Sequence, residues 1–289
     1  MLHSIFDLRG APILTVVFIT MFLLESKFKL RNRVQSKWAR VMINSIVAIP
    51  SFVLLRFLFL PIMVWLAQTN ETIHFGLNYL YQLASWQEAC IAFLFLDYGN
   101  YLWHQLNHKI PYLWRYHLVH HTDPDLDITT AFRFHYGEMI GSVFSRGAFV
   151  FLSGASPVTV LIYEIIFEVA TQFHHTNLKL PARFETILNA VFVTPRMHGI
   201  HHSVKKQETD SNYSVIFSFW DRLHQTLQLN INQDLLKIGV PSYDNKNEMT
   251  PFFLWKLPYT KIRPWKESGL HENDLNSKDT TEDTVVEEK

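Results

Sequence analysis

Three short histidine patterns dominate the chemistry this chain can do. H-Q-L-N-H sets His104 and His108 four residues apart, and H-L-V-H-H follows with His117, His120 and His121. The second form returns as H-G-I-H-H, with His198, His201 and His202. Five of the fifteen histidines lie between His104 and His121, where an even spread would put about one. Residues i, i+3 and i+4 share a helix face, so each pattern aims two or three imidazoles at one point. Imidazole binds iron, zinc, copper and nickel. Eight histidines exceed the needs of one tetrahedral zinc, which calls for two metals. The glutamate of an H-E-x-x-H motif is absent from these patterns, so they do not describe a zinc protease.

Apolar segments flank the patterns and must hold them. Of 289 residues, 48% are hydrophobic, an ordinary share with an uneven distribution. The apolar mass sits in the first 175 residues, whereas residues 265–289 hold eight acids and three lysines. Twenty-three Phe and eight Trp fit a lipid-facing chain, and a net charge of zero gives no electrostatic basis for binding nucleic acid. The single cysteine, Cys90, excludes an internal disulfide, a thiolate zinc site and a four-cysteine iron–sulfur cluster. Its apolar surroundings predict a small buried hydrophobe. No cleavable signal peptide is expected, because Asp7 and Arg9 precede the apolar stretch and no small-x-small site follows it.

Residues 10–24 are uncharged but short for a membrane span of roughly 20 residues. Residues 25–40 carry six basic residues against one acid, which predicts a cytoplasmic loop. Residues 41–67 predict a helix leading out, kinked at Pro50 and Pro61, and residues 84–103 a helix leading back. Residues 139–175, broken at Gly154–Pro157, predict a hairpin that leaves and returns on the same side. His104, His108, His174 and His175 then meet at one face, where the other two patterns lie in polar segments. The predicted fold class is all-α, a multi-pass helical membrane protein with a cytoplasmic histidine-rich cap. The alternative is a soluble all-helical protein with a large core. Arg146 is expensive in lipid and should face protein, water or a headgroup. Residues 177–225 read as a segment with short helices, 226–263 as loops and caps, and 265–289 as a disordered acidic tail.

The patterns, in this order, resemble the fatty acid hydroxylase superfamily, also called the sterol desaturase family. The resemblance runs from Asp97 to Asp221, through LWRYHLVHHTDPDLDITTAFRFHYGE, HHTNLKLP, TPRMHGIHH and DSNYSVIFSFWDRLHQT. It implies a helical membrane domain under a cytoplasmic cap, with a histidine-rich di-iron centre at their interface. It implies ligand roles for His104, His108, His117, His120, His121, His198, His201 and His202, with His175 as the ninth. The tenth stays open. His174 is adjacent to His175, but neighbours on a helix point about 100° apart. His135 holds the R-x-H position, which favours a supporting role with Arg133 and Glu138, orienting the imidazoles. Asn177, Asp210, Asn212 and Asp221 are further supporting candidates, or equally caps and turn residues. No catalytic side chain separate from the ligands is implied. The implied layout is membrane helices over 1–83, a catalytic domain over 84–225, a C-terminal extension over 226–264 and the acidic tail over 265–289. The chain departs from the family pattern at Tyr136 (usually proline), Ser214 (glycine) and His224-Gln225 (Phe-Gly), which bears on the subfamily rather than the metal centre.

The implied reaction is hydroxylation or desaturation of a sterol, fatty acyl or related lipid taken from the bilayer. It uses two iron ions and O2 as co-substrate; zinc fits the same imidazoles. With no flavin fingerprint, haem-binding domain or cluster cysteines, a separate electron-donor protein is required. The expected location is a bacterial inner membrane or the ER membrane, with the metal site on the cytoplasmic face. Two other readings fit the same histidines. One is a di-zinc membrane hydrolase using metal-bound hydroxide. The other is a non-enzymatic metal transporter or sensor, which would need ligands along its spans. His3, His74 and His271 are isolated and read as surface or interfacial residues.

Overall fold

The computed structural model describes residues 10–266, apart from Gln82 and Lys246. Its regular elements are helical; three isolated bridges are the only strand-like pairings among the described residues. Helix α1 (Ala11–Lys27) carries Pro12 in its first turn, where a missing N–H is harmless.

The next helix is longer than its apolar run predicted. Helix α2 (Lys37–Leu54) passes through a π turn (Leu55–Phe59) directly into α3 (Leu60–Ile73). Pro61 cannot bond the carbonyl of Phe57 and its ring crowds that carbonyl, so the widened turn makes room. The run Lys37–Ile73 extends about 55 Å at the α-helical rise, against a hydrocarbon layer of about 30 Å. The stretch Lys37–Tyr79 is long and apolar enough to cross a membrane. The first turns of α2 lie elsewhere: Arg40 and Asn44 are buried against polar residues beside the histidines. Residues 25–40 are therefore not all loop. Opposed carboxylates draw the end of the basic segment into the fold.

At the other end, His74 caps α3 in the left-handed region and Gly76 follows at φ 113°. A Cβ on Gly76 would stand 2.3 Å from the Gly154 nitrogen, so both backbone conformation and close approach demand glycine there. Helix α4 (Ser85–Lys109) returns, and Pro111 opens α5 (Pro111–His121). Helices α6 (Tyr136–Ser153) and α7 (Pro157–His175) form the predicted hairpin, with Gly154 at φ 69° in the turn.

Helices α3, α4, α6 and α7 share one core, including Met63, Ala92, Leu96, Val150 and Tyr163. Their outward faces are apolar too: Phe57, Trp65 and Phe144 are 74%, 61% and 75% exposed. Large exposed apolar faces on neighbouring helices need a covering, and a bilayer supplies one. Cys90 lies on this outer surface, which corrects the buried position expected for it. Ala92 and Leu96 occupy the inward stripe of α4, and a residue two positions away turns outward. Arg146 faces inward, as expected, paired with Glu164 and stacked between Phe59 and Phe167.

The cap holds short helices α8 (Ala182–Asn189), α9 (Pro195–His201), α10 (Lys206–Thr209), α11 (Phe219–Leu223) and α12 (Pro251–Lys256). Residues 226–264 are built into it: Val240, Tyr243, Leu254 and Leu257 pack on Leu118 and Val119 of α5. Trp265, expected in the tail, donates its indole N–H to the Val204 carbonyl at 3.1 Å. The rest of the expected tail, residues 267–289, lies outside the described residues, as do His3 and His271.

Candidate metal centre

Four helices end at one place. His108 lies in the last turn of α4, His120 and His121 in that of α5, His174 and His175 in that of α7, and His198 and His201 in that of α9. Helix C-termini carry partial negative charge, so their convergence favours cations. Pro111 and Pro195, both in first turns, start α5 and α9 sharply.

The imidazoles sort into two groups. His104, His108, His117, His121 and His201 place one ligand atom each within 4.8 Å of one another, and so do His120, His175, His198 and His202. These are the eight motif histidines and His175. Eight of the nine are 0–8% exposed, with His104 partly covered.

Several tautomers are set by fixed partners. The Nδ1–H groups of His104, His201 and His174 point to the carbonyls of Tyr213 (2.7 Å), Ser211 (2.7 Å) and Val215 (3.1 Å). Carbonyls of one short segment, residues 211–215, thus orient three histidines, with Asn212 at φ 54° turning the chain between Ser211 and Tyr213. His175 donates to the Thr171 carbonyl at 2.7 Å, and His117 to the Glu138 carboxylate at 2.9 Å. Each of these rings presents a bare Nε2. Orientation of this kind fixes a ligand's tautomer and raises its basicity.

The bare nitrogens crowd together. His120, His175, His198 and His202 form a chain of Nε2 to Nε2 contacts, each 3.1 Å. His175 has no Nε2 proton to give, and a single proton on His198 cannot serve two neighbours in line. No set of neutral tautomers satisfies the chain. A shared cation does: two nitrogens bound at about 2.1 Å and at right angles lie about 3.0 Å apart. His108, at both nitrogens, and the Nδ1 of His120, His198 and His202 have no hydrogen-bond partner. Burial, reinforced by the other histidines, pushes His120, His121, His198, His201 and His202 well below the usual range. The rings are therefore neutral, as ligands must be. Each group can hold one transition-metal ion, which fits a two-metal centre.

His174 belongs to neither group, although its ring lies 4.1 Å from that of His198 and 4.6 Å from that of His175. Of the supporting candidates, Glu138 touches a clustered histidine directly. Arg133 bonds the Val119 carbonyl, just before His120. His135 is placed apart. It accepts from the Gly137 N–H and contacts the Trp255 carbonyl, capping α6 amid tyrosines, so its nitrogens are spent away from the cage. Asp221 accepts from the N–H groups of Tyr213 and Ser214 at 2.8 and 2.9 Å, and Asn212 ties to Met197 and Gln228. Both hold the segment that orients His104, His174 and His201. Asn177 joins Arg31, and its N–H reaches the buried Glu25. Asp210 lies 3.5 Å from His108 and is held by Lys206.

Sequence reading missed a clamp behind α5. Arg40 grips Asp123 with two bonds of 2.7 and 2.8 Å and also bonds Asp127. Asn44 links Asp123 to Arg133. Pairing with Arg40 and Arg133 outweighs burial and holds the Asp123 carboxyl down at about 2. The Asp123, Asp125, Asp127 run was the available signal, without any sign of its partner on a distant helix.

A cavity of about 100 Å³ opens against the histidines. His117, His120, His174 and His198 wall one end, and Leu55, Met139 and Phe167 continue it among the long helices.

The fatty acid hydroxylase family matches residues 89–226. Alkylglycerol monooxygenase of Danio rerio is 30% identical over 193 residues, 62% of this chain and 39% of that protein. Ornithine lipid hydroxylase OlsE of Rhizobium tropici is 26% identical, covering 47% of this chain and 40% of its own. Human cholesterol 25-hydroxylase is 29% identical over 47% of this chain and 49% of its own. The chain thus spans less than half the length of these relatives. No solved structure gives a significant match. Residues 89–226 carry a fatty acid hydroxylase domain, and the relatives to which the chain is similar are all of the fatty acid hydroxylase superfamily.

Proposed function

We propose that this chain is a multi-pass membrane di-iron oxygenase that hydroxylates a lipid with O2 and electrons from a separate donor protein. The observation that carries the reading is the pair of converging, largely buried imidazole groups opening on a mostly apolar cavity. His104, His108, His117, His121 and His201 would hold one iron, and His120, His175, His198 and His202 the other. Iron in that cage supplies the oxidising power toward C–H bonds that no side chain has. The chain supplies placement. The Tyr213, Ser211 and Thr171 carbonyls would hold ring nitrogens toward the ions, and Glu138 accepts the His117 Nδ1–H hydrogen bond on the far side. Leu55, Met139 and Phe167 exclude water and align an alkyl chain.

Relatives named as hydroxylases of alkylglycerols, an ornithine lipid and cholesterol favour hydroxylation over desaturation. One cysteine cannot form a dithiol or four-cysteine iron–sulfur relay, which favours electrons from outside the chain. For topology, Arg31 and Arg40 bond cap residues, so the basic segment shares the histidines' side; the charge bias makes that side cytoplasmic. The transporter reading loses its footing, since both metal-ligating groups among the described residues lie at the cap end.

Purified, iron-loaded chain should contain two irons and consume O2 with a matched yield of hydroxylated lipid. Lipid cleavage without O2 uptake would replace this reading with the hydrolase. Cysteine labelling at a position near Lys29, from outside intact cells, should be negative.

A further inference from the structure

A second cavity, of about 350 Å³, adjoins the first between α4, α5 and α6. We propose that it is the lateral portal and head-group site for the substrate, and that it takes a lipid with a neutral, hydroxyl-bearing head. The inference rests on the lipid-oxygenase reading above and adds a substrate class to it.

The two cavities share Trp103, Asn107 and Glu138. Glu138 is also the carboxylate on His117, so one side chain separates the second cavity from the metal cage. The outer rim faces lipid, with Phe144 75% and Ile140 41% exposed. Trp103 lies on Gly141, where a Cβ would meet its ring at 2.9 Å. The missing side chain lets the indole stand between the cavities.

The polar lining decides what the portal takes. Four tyrosines contribute phenols: the Tyr259 hydroxyl donates to that of Tyr136 at 3.0 Å, and Tyr116 to Tyr112 at 3.3 Å. Asn107 is 1% exposed, yet neither its amide nitrogen nor its oxygen has a partner. A buried amide left so is costly, and a ligand that both donates and accepts would satisfy it. The second oxygen of Glu138 is likewise unpartnered. No Lys or Arg lines the cavity among the described residues, and its one charged residue is acidic. A phosphate or carboxylate head would meet repulsion and no counter-charge. A hydroxylated head can donate to Glu138, bond Asn107 in both directions and join the phenols. With the head there, the chain runs past Trp103 and down the apolar cavity. The first carbons of the chain, rather than its far end, then face the histidines. Tyr259 comes from the C-terminal extension, which gives that segment a part in choosing the substrate.

The test uses the full chain in nanodiscs and a hexadecyl glycerol carrying a diazirine beside its head. After photolysis, label is expected around Trp103, Tyr136 and Tyr259. Excess unlabelled hexadecyl glycerol should protect about tenfold, and hexadecyl phosphate or hexadecane should not. Asn107→Leu should remove most of that protection. Because Asn107 is buried, a Tyr136→Phe/Tyr259→Phe pair, which removes hydroxyls without volume, is the second variant; protection should fall severalfold. Label confined to the outer apolar faces, equal protection by the phosphate, or parental protection in both variants would overturn the proposal. Labelling needs neither metal nor turnover. Site-specific label without O2 uptake would strike the oxygenase reading alone, and O2-dependent lipid oxidation with label elsewhere would strike the portal alone.

Discussion

The two histidine groups are built differently. In the five-histidine group, His104, His117 and His201 each have Nδ1 tied to a carbonyl or carboxylate. In the four-histidine group only His175 is tied, and Nδ1 of His120, His198 and His202 has no partner. The cavity is lined by His120, His175 and His198 of the looser group, by His104 and His117 of the other, and by His174. One group is preorganised by the scaffold and the other is left adjustable. Fixed tautomers mean tighter binding, so a chelator should strip the four-histidine group first.

The largest effects should come from breaking each group separately. His201→Ala and His120→Ala should both abolish turnover. His120→Ala should keep the ion of the five-histidine group, and His201→Ala should lose it. His74→Ala, far from both groups, should change neither metal content nor turnover. Metal analysis beside activity checks this, and equal losses in all three variants would end the positional argument.

Next is Glu138→Gln. It keeps the size of the group that meets His117 Nδ1 but removes the charge. Affinity of the five-histidine group should fall about 10–100-fold, as for other outer partners of metal ligands. A chelator titration should then show the two release steps drawing together. Unchanged spacing between the steps would mean that Glu138 does not distinguish the groups.

Much of this centre was legible in the sequence, for a local reason. Spacing of three and four residues survives folding as a shared helix face, so His104 with His108 and His117 with His121 could be paired on inspection. Assignment of His117 to one group and His120 to the other could not. It depends on where α7 and α9 arrive, and that is tertiary. The hairpin at Gly154 was legible because turn chemistry is local. The length of α2 was not, since its first turns are held by Arg40 on Asp123 across 83 residues of chain. The bonds of His135 to Gly137 and Trp255 were not legible, because a motif position says nothing of which way a capping ring turns. The outward position of Cys90 escaped because an apolar run reads alike whether it faces a core or lipid.

A smaller effect follows from burial of the neutral rings. His120, His121, His198, His201 and His202 titrate below their unfolded value in the metal-free fold. That unfolded value is about 6.5. Above it both states are neutral and the fold suffers no penalty. As pH drops below it the unfolded chain takes up protons that the fold refuses, so stability falls. Metal-free chain should therefore lose thermal stability steeply as pH drops below about 6.5, with a slope of more than one proton. Metal should carry the loss to lower pH. A one-proton slope would mean that these rings do not titrate as a buried set.

The smallest effect tests whether the two groups share a mechanical support. Gly199 sits between His198 of one group and His201 of the other. A Cβ there would stand 2.3 Å from the Arg31 guanidinium. Arg31 is buried, and its Nη1 is held by Gln233 at 2.6 Å and by the Pro195 carbonyl at 3.3 Å. Burial brings its pKa down to about 10, so it stays charged at neutral pH. A held guanidinium cannot swing clear as a solvated one would. Gly199→Ala should therefore cost about 1–3 kcal/mol of stability, as overpacking does. It should also lower the metal affinity of both groups together, because α9 carries ligands to each. Arg31→Ala removes the obstacle, so the double variant should lose less than the sum of the single losses. Thermal unfolding and chelator titration of the four chains close that cycle. Strict additivity would mean that the H-G-I-H-H glycine is not there to admit Arg31.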